Sequence, residues 1–151
     1  MERNTTRRVS YTLASTLESV NRAESIAADA AAQAGFSDDE QSNIAMAVRE
    51  AAINAVLHGN AYDPHKNVVL AYENTRDALV ITIRDQGKGL DPGNLPDPLA
   101  PENLMKGSGR GIFLIRAFMD EVKFRNTEPG TEITLIKHLG RSAANAKEEP
   151  Q

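Results

Sequence analysis

Glu50-Ala51-Ala52-Ile53-Asn54-Ala55-Val56-Leu57-His58-Gly59-Asn60 sets a line of polar side chains into an otherwise apolar helical pattern. Upstream, Ser37-Asp38-Asp39-Glu40 fits a capping box, in which the serine oxygen and the glutamate side chain satisfy each other's free backbone amides. The spacing predicts a helix from there to His58, with Gly59 beyond it. With roughly 100° per residue, Ile44, Val48, Ala51 and Ala55 form one apolar stripe, while Met46, Ile53 and Leu57 form another nearly opposite. The helix is therefore expected to be buried on both flanks. Glu50, Asn54 and His58 stack between the stripes at i, i+4 and i+8, where polar groups need partners.

Working outward, Val9, Tyr11 and Leu13 alternate with Ser10 and Thr12 and predict an opening strand after a polar, flexible start over residues 1–8. Val20, Ala23, Ala27, Ala30 and Ala34 recur at helical spacing from Leu17 onward, and Gly35 is the expected stop. After the central helix, residues 68–73 and 79–84 are rich in β-formers and flank Asn74-Thr75-Arg76-Asp77, so they predict a hairpin. From Gln86 to Lys106 glycine, polar residues and four prolines predict a long irregular loop, and loops of that length are usually functional. Residues 112–119 form an apolar helical run, and strands are expected over 121–126 and 131–137 around the turn Glu128-Pro129-Gly130. Residues 140–151 read as a loose polar tail. The order β-α-α-β-β-loop-α-β-β suits an α+β two-layer sandwich whose helices cover one face of a mostly antiparallel sheet.

The chain has 151 residues, enough for about one domain that buries roughly 70% of its unfolded surface. A formal charge of -4 argues against broad attraction to nucleic acid or an anionic membrane. Cysteine is absent, which leaves no disulfide framework or thiolate metal site and is compatible with the cytoplasm. No run of apolar residues is long enough for a signal peptide or a membrane span.

Three motifs carry candidate chemistry. Asn54 offers a neutral oxygen to a metal such as Mg²⁺, which keeps several waters and takes further ligands from phosphates. Glu50, one turn earlier, could accept a proton from an attacking hydroxyl, although i, i+4 pairs also serve simply to stabilise helices. In Asp85-Gln-Gly87-Lys-Gly89 the aspartate could accept from the exocyclic amine of adenine, with glycines letting the backbone approach the base; a strand-ending turn is the other reading. In Gly107-Ser108-Gly109-Arg110-Gly111 the backbone amides could meet phosphates at a helix start, with Lys106 and Arg110 adding positive charge; a hinge is the alternative. His58, at a helix end, reads first as a capping or packing histidine. His65 and His138 are more weakly placed, and a zinc site has little support.

Taken in order, these motifs resemble those of the GHKL ATPases, the Bergerat fold. Residues 50–60 resemble the N box, Asp85 to Gly89 the first glycine box, and Gly107 to Gly111 the second. Thr131, after Gly130, resembles the late threonine that helps bind adenine. The resemblance covers residues 9–139, and the run Phe118-Met-Asp-Glu-Val122 is most similar to the anti-sigma-factor serine kinases of the RsbW and SpoIIAB type. With no acceptor-histidine helix before the domain and no transducer domain after it, a sensor kinase, gyrase, mismatch-repair or chaperone enzyme is disfavoured.

That resemblance implies a general base at Glu50, a Mg²⁺ ligand at Asn54 and an adenine reader at Asp85, with His58 and Gly59 also in the ATP/ADP site. It makes residues 86–106 an ATP lid. It further implies γ-phosphoryl transfer to a serine or threonine of a STAS-domain anti-anti-sigma partner, sequestration of an RNA polymerase sigma factor, and homodimerisation through the N-terminal strand and helix. Arg22 resembles a partner-contacting arginine. Gly107 stands where relatives carry an arginine, so Lys106 or Arg110 would supply the phosphate-facing charge. A nucleotide-responsive binding module without transfer, and a switch kinase that activates a phosphatase, remain as other readings.

Overall fold

A computed structural model describes residues 7–87 and 109–139. Strand β1 (Arg7–Ala14) leads into helix α1 (Leu17–Ala34) and then α2 (Asp38–Ile53), which runs on as a π-helical turn over Asn54–Gly59. Strands β2 (Asn67–Asn74) and β3 (Ala78–Arg84) form the expected hairpin, and helix α3 (Gly109–Phe118) precedes β4 (Glu121–Asn126) and β5 (Thr131–His138). Among the described residues the sheet has five strands in the order β1-β2-β3-β5-β4, and every pairing is antiparallel. The α+β architecture is the one expected.

Local chemistry accounts for the helix limits. Thr16 Oγ1 accepts from the Ser19 amide at the start of α1. Gly35 closes that helix in the left-handed region at φ 98°, a conformation costly for any residue with a Cβ. At α2 the Ser37 hydroxyl accepts from the Glu40 amide and the Glu40 carboxylate accepts from the Ser37 amide, a complete capping box.

Register places Leu13, Leu70, Ile83 and Ile133 on one face of the sheet, together with Ile81 and Leu135. The same face meets Val20 of α1, Ile44 and Val48 of α2 and Ile115 of α3 in one core. Ile44, Leu70, Ile81, Ile83, Ile115 and Leu135 are each under 2% exposed, and burying such a side chain is worth about 1.5–3 kcal/mol. Between the helices, small residues meet small residues: Ala23, Ala27, Ala30 and Ala31 on α1, Ala47, Ala51, Ala52 and Ala55 along α2 and its extension. Short side chains let helix axes approach closely.

Two expectations about α2 are corrected. The α-helical pattern ends at Ile53, and the chain continues to Gly59 with the wider π geometry. Burial is also uneven: Ile44, Val48, Ala51 and Ala55 are in the core and Ile53 of the second stripe packs half-buried against it, whereas Met46 is 42% and Leu57 37% exposed. Single exposed apolar residues are ordinary on a protein surface, so Met46 and Leu57 need no covering layer.

Candidate functional site

At the end of β3 the chain turns beneath the last turn of α2 and against the start of β5. A cleft there is lined by Ala51, Asn54 and Ala55 from the helix, Ile83 and Asp85 from β3, Phe124 from β4, and Thr131 and Ile133 from β5. Its walls are mostly apolar, and Asp85 is the acidic group among them. Asp85 is only 7% exposed. Its Oδ1 accepts from the amides of Gly87 (2.9 Å) and Thr131 (3.2 Å). Its own amide donates to the Thr131 carbonyl at 3.0 Å. Burial raises the Asp85 carboxyl above the ordinary carboxylate range, opposed by those two amides and by the nearby Lys66 charge.

With Oδ1 taken, Oδ2 is the oxygen left to receive a donor from a ligand. It also faces Gly59, where a Cβ would overlap the carboxylate; at Gly87 a Cβ would strike the Gly59 carbonyl. The backbone thus approaches the aspartate as closely as it can only because these positions lack side chains. The π-helical turn brings Gly59 to this contact. Such turns are frequently found at functional sites.

Glu50 lies half-buried on α2, one turn before Asn54. It faces Gly111 in the first turn of α3, where a Cβ would lie 2.6 Å from Glu50 Oε1. This contact joins the N-box helix to the helix that opens after the second glycine motif. Asn54 is half-buried and lines the same cleft as Asp85, so the structure brings Glu50, Asn54, Asp85 and Thr131 around one end of the sheet. His58 is different. The wider π turn breaks the i, i+4, i+8 line after Asn54, and His58 is exposed.

Gly109 and Gly111 belong to α3, as does Arg110, whose side chain is not among those described. Gly89, Lys106, Gly107, Ser108 and most of the expected lid lie outside the described residues, as do residues 140–151. Arg22 is exposed on α1, its guanidinium 5.6 Å from the centre of the Tyr11 ring, away from the cleft and over the sheet's first strand. Among the described residues no group of three or more His, Asp or Glu could hold a metal. No described helix is long and apolar enough to cross a membrane.

Two contributors were not singled out from the sequence. Phe124, 36% exposed, stands as an aromatic wall of the cleft, and the alternation of Val122 with Phe124 in a short strand was its only signal. Asn60, the last residue of the quoted stretch but given no role there, is 1% exposed and hydrogen-bonded through both ends of its side-chain amide.

Residues 13–137 match the family described as the histidine kinase-like ATPase domain. The chain is similar to the Anti-sigma F factor of Anoxybacillus flavithermus, 35% identical over 111 residues that make up 70% of this chain and 75% of that protein. It is likewise 35% identical to the Anti-sigma F factor of Bacillus subtilis over the same shares of both chains. Among solved structures, that of the RsbU and RsbW domains of a Mycobacterium tuberculosis protein shares the fold, with a TM-score of 0.63 at 20% identity. The match covers 87% of this chain and 31% of that longer one. The mycobacterial sensor histidine kinase MprB also shares it, with a TM-score of 0.51 at 16% identity, over 87% of this chain and 97% of that one. The chain thus belongs to the histidine kinase-like ATPases, in their anti-sigma-factor group of the RsbW and SpoIIAB type.

Proposed function

We propose that this protein is an ATP-dependent protein serine/threonine kinase and anti-sigma factor, which phosphorylates a STAS-domain anti-anti-sigma partner and sequesters a sigma factor. The observation that carries the nucleotide part is the Asp85 carboxylate, buried in an apolar cleft with one oxygen held by two amides and the other left for a ligand donor. Adenine presents an amine at the position where guanine presents a carbonyl, so an acceptor at this point selects adenine. Ile83, Ile133, Ala51 and Ala55 supply apolar walls for a planar base, and Phe124 an aromatic one.

Phosphates would extend from the base toward Glu50 and the start of α3, where the amides of a helix N-terminus and the helix dipole favour anions. Asn54, a neutral oxygen in the cleft, suits Mg²⁺, which would take its remaining ligands from phosphates and water and neutralise charge on the transferred group. Glu50, which faces Gly111 in the first turn of α3, would orient the incoming hydroxyl and take its proton. Gly111 leaves room for it. Catalysis would rest mainly on alignment of the hydroxyl with the γ-phosphoryl group.

Sigma-factor binding follows the names of the relatives. Homodimerisation is proposed through β1, an eight-residue strand that among the described residues pairs with β2 alone, together with α1 and its exposed Arg22. The functional unit spans residues 9–139 in this reading. Incubation with γ-labelled ATP, Mg²⁺ and a STAS-domain protein is expected to place label on a serine or threonine of that protein. Binding of ATP with no label transferred would instead identify a nucleotide-responsive binding module.

A further inference from the structure

Asn60 follows the π-helical turn and is 1% exposed, the most deeply buried polar side chain described. Its Nδ2 donates to Ser15 Oγ at 2.9 Å and to the Asn67 carbonyl at 3.0 Å. Its Oδ1 accepts from the Gln86 amide at 2.7 Å. The orientation of the side-chain amide is determined by its neighbours. Ser15 Oγ gives its proton to the Lys66 carbonyl at 2.6 Å and so has a lone pair for Nδ2, while the Gln86 amide can only donate. Backbone bonds hold the residue itself, from its amide to the Ala55 carbonyl and from the Asp63 amide to its own carbonyl. Gln86 is tied a second time, its Oε1 accepting from the Asn67 amide at 2.6 Å.

Gln86 is the residue after Asp85. The peptide on one side of the carboxylate is held by Thr131 and the peptide on the other side by Asn60. We infer that Asn60 is the positioning residue of the base-reading segment: by clamping the Gln86 amide against the ends of β1 and β2, it sets where the Asp85 carboxylate points. This rests on the assignment of Asp85 as the adenine reader. Asn60 does not touch the cleft, so it acts through Asp85 and not on the nucleotide. Only a side chain carrying both an acceptor and a two-proton donor meets all three buried partners, which is the reason for an amide here.

The test compares wild type, Asn60→Ala and Val20→Ala, the last a core truncation on α1 outside the cleft lining and outside the hydrogen bonds of Asn60. Calorimetry with ATP and with inosine triphosphate, which carries a 6-oxo group in place of the amine, reads base selectivity. Asn60→Ala is expected to lower the ATP-over-inosine-triphosphate preference by about tenfold, the equivalent of one neutral hydrogen bond, while Val20→Ala keeps the wild-type ratio. Hydrogen exchange at the Gln86 amide should accelerate in Asn60→Ala alone. An unchanged ratio in folded Asn60→Ala, or unchanged protection of Gln86, overturns the inference. If Asn60→Ala does not fold, Ser15→Ala removes one of the two acceptors of Nδ2 and should shift the ratio in the same direction by a smaller factor; no shift overturns the inference equally. A wild type that fails to distinguish the two nucleotides refutes the role of Asp85 instead, and the Gln86 exchange rate still decides whether Asn60 holds the segment.

Discussion

Replacing Asp85 by asparagine changes one oxygen of the cleft into an NH₂ group and removes a buried charge. Asparagine Oδ1 can keep both bonds from the Gly87 and Thr131 amides, so Nδ2 takes the place of Oδ2, the atom left for the base. A donor then faces the donor of adenine. Losing a hydrogen bond to a charged group costs about 1.5–3 kcal/mol, and leaving a buried donor unsatisfied costs about 1–3 kcal/mol. Asp85→Asn should therefore bind ATP at least about 60-fold more weakly, since 1.4 kcal/mol is about tenfold. It should gain relative affinity for inosine triphosphate, whose 6-oxo group accepts.

Stability should move the other way. Burial raises the Asp85 carboxyl in the folded protein, so between its unfolded and folded values the folded state holds a proton the unfolded chain has lost. Over that window stability falls as pH rises, and above it the cost of the buried charge is complete. The asparagine variant carries no such cost. It should melt above wild type at neutral pH, with the difference shrinking as the solution is acidified toward the ordinary carboxylate range. Titration calorimetry and melting curves across pH check both halves. Wild-type ATP affinity in a folded Asp85→Asn would refute the assignment of the base reader, and a lower melting temperature at neutral pH would refute the account of its burial.

Gly111→Ala places a Cβ within 2.6 Å of Glu50 Oε1, so the glutamate must move; phosphate transfer should fall by about 100-fold or more while ATP binding measured by calorimetry changes far less. Phe124→Ala removes the aromatic wall of the cleft from a residue already 36% exposed. It should weaken ATP by about fivefold to tenfold through lost stacking, with little change in melting temperature. For ATP itself, affinity should decline on acidification at a higher pH than an ordinary carboxylate would give, because a protonated Asp85 is a poorer acceptor and its carboxyl is raised by burial.

Features set by neighbours in the chain were legible in advance. The capping box of Ser37 and Glu40 and the left-handed stop at Gly35 depend on residues a few positions apart, and both stand as expected. The hairpin of β2 and β3 and the turn between β4 and β5 followed from strand composition and turn chemistry, whereas the pairing of β1 with β2 and of β3 with β5 carried no local signal. The π-helical turn at Asn54–Gly59 was not legible. Its contacts, Gly59 against Asp85 and Gly87, join segments more than twenty residues apart, and an apolar periodicity does not record them. Met46 and Leu57 misled for a related reason, since a helical stripe reports which side chains share a face but not whether anything lies over it. Asn60 had no local signal either. Its partners Ser15, Asn67 and Gln86 come from three separate strand ends, and only folding brings them around one amide.

The central claim is that Glu50 serves the transfer of phosphate and not the binding of nucleotide. On one preparation of Glu50→Ala, calorimetry should give an ATP affinity within a few fold of wild type, and the intact mass of a STAS-domain partner incubated with ATP and Mg²⁺ should remain unchanged. The same partner should gain the mass of one phosphoryl group with wild type. A mass gain with Glu50→Ala equal to that with wild type, or none with wild type itself, would contradict the account.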